Sequence, residues 1–207
     1  MILRNIADFA PPGIECGTGL ALQDETGRHI FCLAGVKYQG PPGELFYAGI
    51  GGHLERGEDW LSCIHRETKE EIGIDLEVIS SPVTWHVPQN NRVQNVNVID
   101  YPRPFALYEM VYPLGLPKAG QLYFIVIYQA LLPAKPLIFS KDEVGALIGL
   151  TTKQVISGIN RKPSLEELKN EGTSIIEGDT RLDMQTRVYP IGTALALAHI
   201  FRADKAC

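Results

Sequence analysis

No stretch of the 207 residues approaches the roughly 18 to 20 consecutive apolar side chains of a membrane-spanning helix. The longest apolar run, around Leu122 to Pro133, is broken by Gln129 and suits a buried strand. The opening Met1-Ile2-Leu3-Arg4-Asn5 lacks the charged-then-apolar order of a secretory signal. The four cysteines, at 16, 32, 63 and 207, form no Cys-x-x-Cys pair. The usual ligand spacing of a structural zinc site is therefore missing. A cytoplasmic chain with reduced thiols is the expectation. Positive charge is also short: 19 Lys and Arg face 24 Asp and Glu, a net charge of -5. That argues against a dedicated nucleic-acid or anionic-membrane surface.

What is present is the composition of a globular protein, 45% hydrophobic and 21% charged, so a disordered or fibrous chain is excluded. Residues 17–23 and 28–34 read as strands joined by the turn cluster Asp24-Glu25-Thr26-Gly27. A loop holding Gly40-Pro41-Pro42-Gly43 and a short strand at 45–48 lead into Gly49-Ile50-Gly51-Gly52. A helix is expected from Glu58 or Asp59 to Ile72, stopped by Gly73. Strands follow near 76–86, 104–112 and 121–132, with 87–103 as a long loop. Ser140-Lys141-Asp142-Glu143 reads as another loop, Ser164-x-x-Glu167 as a capping box, and 191–203 as an apolar final helix. That helix either seals the core or forms a dimer interface.

Chemistry concentrates on the helix after Glu58. At about 100° per residue, Leu61, Ile64, Thr68 and Ile72 line a buried stripe, and Glu67, Glu70 and Glu71 share an arc beside it. Carboxylates so placed repel, and more so near a buried edge. A hard divalent cation, Mg2+ or Mn2+, relieves the repulsion, with Arg66 compensating part of the charge by holding Glu58 or Glu70. Carboxylate spacing alone would equally describe a solvated acidic face.

The complete spacing decides between these. Gly52-His-Leu-Glu-Arg-Gly-Glu58-Asp-Trp-Leu-Ser-Cys-Ile-His-Arg66-Glu67-Thr68-Lys-Glu70-Glu71-Ile-Gly73-Ile74 resembles the box of the Nudix hydrolase family at every fixed position. Thr68 stands where the family usually has an aliphatic residue, and Ile50 where many members have proline. The resemblance covers roughly residues 15–155. It implies an α/β fold, a Nudix-type α/β/α sandwich with a mixed sheet, to which this chain adds a helical C-terminal extension. The division expected is a Nudix hydrolase domain over 1–155 and the extension, packed on it, over 156–207.

The resemblance also implies an activity: metal-dependent hydrolysis of a diphosphate bond in a nucleoside diphosphate linked to another group, X. Glu67, Glu70 and Glu71 then hold the metal, with the Gly52 carbonyl completing its shell. Glu67 doubles as a possible base, and Glu143 is the later-loop candidate for that role. Arg66 and Glu58 orient the helix, Gly51 lets the backbone come close to the metal and the phosphates, and Gly73 stops the helix. His53, Glu55 and Arg103 are the candidates to touch substrate, and Trp85, His86, Tyr101, Phe105 and Tyr108 could stack on a base. The expected partner is a small anionic molecule, with a homodimer possible and neither nucleic acid nor membrane involved. The competing reading is a catalytically silent Nudix-fold nucleotide-binding or regulatory domain. Between Glu55 and Glu71 six acids face three bases, so much of the acid excess is this one site.

Overall fold

Asp24 makes the first hairpin: its Oδ1 accepts the N–H groups of Thr26 and Arg28 at 2.8 and 3.0 Å, turning the chain tightly. In the computed structural model this joins β2 (Glu15–Gln23) to β3 (His29–Ala34). The structure describes residues 3–35, 37–38, 41–112, 114, 118–134, 137–140, 142–177 and 182–205. Met1, Ile2, Gly40, Lys141 and Cys207, all part of readings above, lie outside the described residues.

The other strands are β1 (Leu3–Arg4), β4 (Glu44–Ala48), β5 (Thr84–Val87), β6 (Gln94–Val98), β7 (Ala106–Val111), β8 (Leu122–Leu131), β9 (Val144–Leu150), β10 (Ser174–Glu177) and β11 (Arg187–Pro190). The helices are α1 (Trp60–Ile72), α2 (Thr152–Ser157), α3 (Leu165–Asn170) and α4 (Gly192–Asp204). The strands form one mixed sheet in the order β1-β6-β5-β7-β8-β2-β3-β4-β11, with β9 pairing both β3 and β10. The central pair, β2 with β8, is parallel over its whole length, Glu15 opposite Tyr123 and Gln23 opposite Leu131.

Period-two alternation divides the core into two layers. Along β8, Tyr123, Ile125 and Ile127 face one layer, and Phe124, Val126 and Tyr128 the other. Ile64 and Ile72 of α1 complete the second layer. Ala194, Leu197, Ala198 and Ile200 of α4 complete the first. The molecule is thus an α/β/α sandwich, and α4 seals the core rather than standing apolar in solvent.

The sequence reading of 87–103 as a loop is corrected. β6 lies inside it and pairs antiparallel with β5, with Val98 fully buried. The expected strand at 76–86 begins only at Thr84; before it, Ile79 makes a single bridge to Gln129. Beyond residue 155 the chain is not only helical. β10 adds to β9 and β11 pairs parallel with β4. The Ser164 capping box forms as read, with Ser164 and Glu167 exchanging hydrogen bonds of 3.1 and 2.8 Å.

One contact across the sandwich responds to acid. His29 is 5% exposed, its ring lies 4.6 Å from Phe201 of α4, and its Nε2 sits 3.1 Å from the Thr152 hydroxyl. Burial lowers its pKa to about 4, with Asp24 opposing weakly. The folded value lies below the unfolded one. Stability is therefore complete above about pH 6.5 and is lost as pH falls through about 4, by of order 3 kcal/mol. The difference in stability between the unaltered chain and His29→Gln, taken from thermal unfolding at each pH from 7 to 4, should show this decline, since the subtraction removes the other titrating groups.

Candidate active site

α1 starts where Asp59 caps it, its Oδ1 taking the N–H groups of Leu61 and Ser62 at 2.9 Å each. It stops at Gly73, whose φ of 72° is left-handed and whose N–H returns to the Lys69 carbonyl. Ile64, Thr68 and Ile72 are buried against the sheet as their spacing requires. Glu67 and Glu71 ride the edge of that face and are buried too, at 8% and 9% exposure. Glu70 stands in solvent, its side chain 55% exposed.

Beside α1 the glycine loop runs antiparallel along β2. Leu20 N–H donates to the Ile50 carbonyl, Thr18 N–H to the Gly52 carbonyl, and Leu54 N–H to the Cys16 carbonyl. Alternation then turns the polar groups of Gly51 away from β2, and its N–H donates to Glu71 Oε2 at 3.1 Å. The Gly52 carbonyl, read from sequence as a metal ligand, faces β2 instead and accepts both Thr18 N–H and the Tyr123 hydroxyl. The carbonyl on the carboxylate side is that of Gly51, to which no described residue donates. A Cβ on Gly52 would lie 2.2 Å from Glu67 Oε1, so only glycine lets that carboxylate rest on the loop.

Arg66 ties these parts together with all five of its N–H donors. Two grip Glu58 at 2.9 and 3.0 Å, and the others reach Glu67 at 2.7 Å, Glu70 at 3.0 Å and the His53 carbonyl at 3.0 Å. Both acids proposed from sequence as its partners are held, and Glu67 as well.

The two buried carboxylates differ in relief. Burial raises the pKa of Glu67, and Arg66 works against that rise. Burial pushes Glu71 up to about 8, opposed by the Gly51 N–H and reinforced by Glu67, Glu143 and Glu70. Among the described residues no Lys or Arg pairs with Glu71. Nor do three His, Cys, Asp or Glu side chains among them converge into a ready metal cage. Two carboxylates and one free carbonyl are a sparse set of hard oxygens. Such a set fits magnesium, which keeps waters and takes further oxygens from phosphates.

A cavity of about 210 Å³ opens beside Glu71, and Glu143, His53, Gly51 and Gly52 also line it. Glu143, half-buried, ion-pairs with Lys37. His53 sits at the rim with its ring 4.9 Å from Tyr123. The structure does not bring Glu55 or Arg103 here. Glu55 is exposed on the outer loop. Arg103 braces the far side of the sheet, donating to the carbonyl of Pro82 and the hydroxyl of Ser80. Trp85, Phe105 and Tyr108 pack with the core, His86 pairs with Glu109, and Tyr101 stands in solvent. The cavity's aromatics are ones the sequence did not flag: Tyr38, Phe46, Tyr112 and Tyr123. Among the described cysteines, Cys32 and Cys63 are buried, Cys16 is half-buried, and burial raises the pKa of all three.

The model of the NUDIX domain matches residues 16–119. Among solved structures, the MutT protein of Methanosarcina mazei Go1 shares the fold with a TM-score of 0.52 at 8% identity, covering 96% of this chain and 100% of its own. An Ap4A hydrolase of C. elegans aligns with a TM-score of 0.43 at 17% identity, covering 70% of this chain and 85% of its own.

Proposed function

This chain belongs to the Nudix family, and on that premise we propose that it is a divalent-metal-dependent pyrophosphohydrolase acting on a nucleoside diphosphate linked to a further group. The observation that carries the reading is Glu71, a carboxylate 9% exposed whose hydrogen-bond donor is the Gly51 N–H, beside a second buried carboxylate and a cavity. Two acids buried side by side with raised pKa values beside a cavity support a functional site.

Glu67, Glu71 and the Gly51 carbonyl would hold Mg2+ or Mn2+, with Glu70 at the solvent side. The ion supplies neutralisation of the diphosphate and of the charge that develops on it. Arg66 fixes Glu67 and, through Glu58 and the His53 carbonyl, the loop against the helix. Glu143 is the base: water attacks phosphorus, its proton passes to Glu143, and the phosphoanhydride P–O bond breaks. His53 borders the substrate, and the aromatic walls offer faces to its base. The setting proposed is the cytoplasm, with a small molecule as partner. Among the described residues no helix is long and apolar enough to cross a membrane.

The test is a screen with Mg2+ against ADP-ribose, dinucleoside polyphosphates, nucleotide sugars and nucleoside triphosphates. One class should be hydrolysed, with at least a hundredfold loss in EDTA and recovery on adding Mg2+ or Mn2+. Inactivity on every class would overturn the hydrolase reading in favour of a silent binding domain.

A further inference from the structure

A second cavity, of about 490 Å³, is more than twice as large as the one beside Glu71, and Ile191 lines both. Strand register makes the two neighbours. β11 pairs with β4 so that Tyr189 stands beside Phe46 and Val188 beside Leu45. Leu45, Tyr47 and Val188 pack with the core, so alternation turns Glu44, Phe46 and Tyr189 to the other face. Phe46 lines the first cavity, and Glu44 and Tyr189 line the second. Paired strands lie about 4.8 Å apart, and residues two apart along a strand about 6.6 Å. A molecule with its diphosphate beside Glu71 therefore reaches the second cavity with its next group. The first cavity alone falls below the roughly 300 to 1,000 Å³ of pockets that enclose a whole small-molecule ligand, and the second supplies the missing room.

The lining decides which ligand suits it. The segment between α2 and α3 is fixed on β11: Arg187 donates to the Lys162 carbonyl at 2.9 Å, and the Val188 N–H donates to the Pro163 carbonyl. Asn160, Arg161 and Lys162 of that segment line the cavity with Glu44 and the half-buried Tyr189. The cations already have partners. Lys162 Nζ lies 2.6 Å from Glu44 and 4.7 Å from the centre of the Tyr189 ring, and Arg161 pairs with Glu171. A further phosphate therefore meets balanced charge rather than a free cation. A second nucleobase meets one aromatic ring, since among the described lining residues there is no other to sandwich it. A neutral polyol fits both features. Its C–H face packs on the tyrosine, and its hydroxyls, each donor and acceptor at once, serve an amide and an ion pair.

We propose that this second cavity receives the group X, and that X is a sugar ring bearing no additional phosphate. The sugar packs on Tyr189, and the exposed Lys162 ammonium gives up the ring face and takes a hydroxyl as its new partner. That the sugar is part of a substrate rests on the hydrolase reading above; the sugar site itself does not.

Saturation-transfer NMR on the full chain in EDTA tests the site without turnover, with the methyl glycosides of glucose, galactose, mannose and ribose as probes. At least one should take up saturation. Tyr189→Ala should weaken its binding about tenfold and Tyr189→Phe should retain it, since the aromatic face is removed or kept. Lys162→Ala changes a side chain 51% exposed, so it should melt with the unaltered chain and weaken the same glycoside about fivefold through one lost hydrogen bond. No transfer to any glycoside, or unchanged binding in Tyr189→Ala and Lys162→Ala, overturns the proposal. With Mg2+, nucleotide sugars or ADP-ribose should show a higher kcat/KM than ATP and dinucleoside polyphosphates. Tyr189→Ala should raise KM for them about tenfold and leave that for ATP within twofold. An equal loss on every substrate also counts against it. A chain that binds a glycoside but hydrolyses nothing would remove the hydrolase reading and leave the sugar site standing. One that hydrolyses only triphosphates would keep the hydrolase and remove the sugar site.

Discussion

Glu71→Gln should lower metal-dependent hydrolysis by at least 10²- to 10³-fold, the scale on which removal of one preorganised electrostatic group acts. The same substitution should stabilise the protein in EDTA, and the physics of both effects is one fact. Glu71 is buried beside Glu67, and its pKa stands near 8 against an ordinary 4.5. A folded value above the unfolded one means that stability is complete below about pH 4.5 and is lost as pH rises through about 8. Each pK unit is worth about 1.4 kcal/mol, so the cost at alkaline pH is of the order of several kcal/mol. Glutamine keeps the shape and the acceptor for the Gly51 N–H but cannot ionise. Melting curves at pH 8 in EDTA should therefore place Glu71→Gln above the unaltered chain. Added Mg2+ should raise the melting temperature of the unaltered chain and leave the variant nearly where it was. A variant that keeps its turnover would sink the mechanism.

Arg66→Ala should be the most destabilising single change at the site. Its side chain is 24% exposed, and the Glu58 and Glu67 side chains it holds are 13% and 11% exposed. Removing one partner of a buried pair costs about 3 kcal/mol or more, because the other charges remain buried and unpaired. For a chain of this size that is a fall of roughly 6 to 12 °C in melting temperature. Activity should drop a further ten- to hundredfold through misplacement of Glu67, the usual penalty for losing a group that orients a metal ligand. Arg66→Lys tests the geometry separately from the charge. A single ammonium cannot supply five directed donors, so lysine should recover only part of the stability. Full recovery would mean that charge alone matters.

The parts of the fold that were legible in the sequence are those encoded by near neighbours. Asp59, Gly73 and the Glu67, Glu70 and Glu71 arc lie within one helix, where spacing determines direction. Ser164 with Glu167, and the apolar run of α4, are of the same kind. β6 was missed because Gln94-Asn95-Val96-Asn97-Val98 has the polarity of a loop. It becomes a strand by pairing with β5 and burying Val98. β9 went unassigned because Gly145 and Gly149 dilute its pattern. At Gly149 a Cβ would meet the Ser174 hydroxyl at 2.2 Å, a constraint set by a strand 25 residues further on. The carboxylates of the site could be read from sequence, but the orientation of the glycine loop could not. Gly51 and Gly52 are chemically identical, and only pairing with β2 shows which carbonyl faces Glu71. Tyr112, Tyr123 and Thr193 carry no local mark either. They meet at the cavity because β7, β8 and α4 are brought there by the sheet.

That assembly fixes an order of events during synthesis. The acidic helix and its glycine loop are complete once residue 73 has been made, and β2, against which the loop lies, precedes both. The wall opposite waits for Thr193, which settles over Gly19, and for β11, which pairs with β4. A nascent chain still attached at residue 150 therefore already carries Glu67 and Glu71 but has no closed cavity beside them. The pocket comes into being only when α4 settles over β2 and β11 pairs with β4.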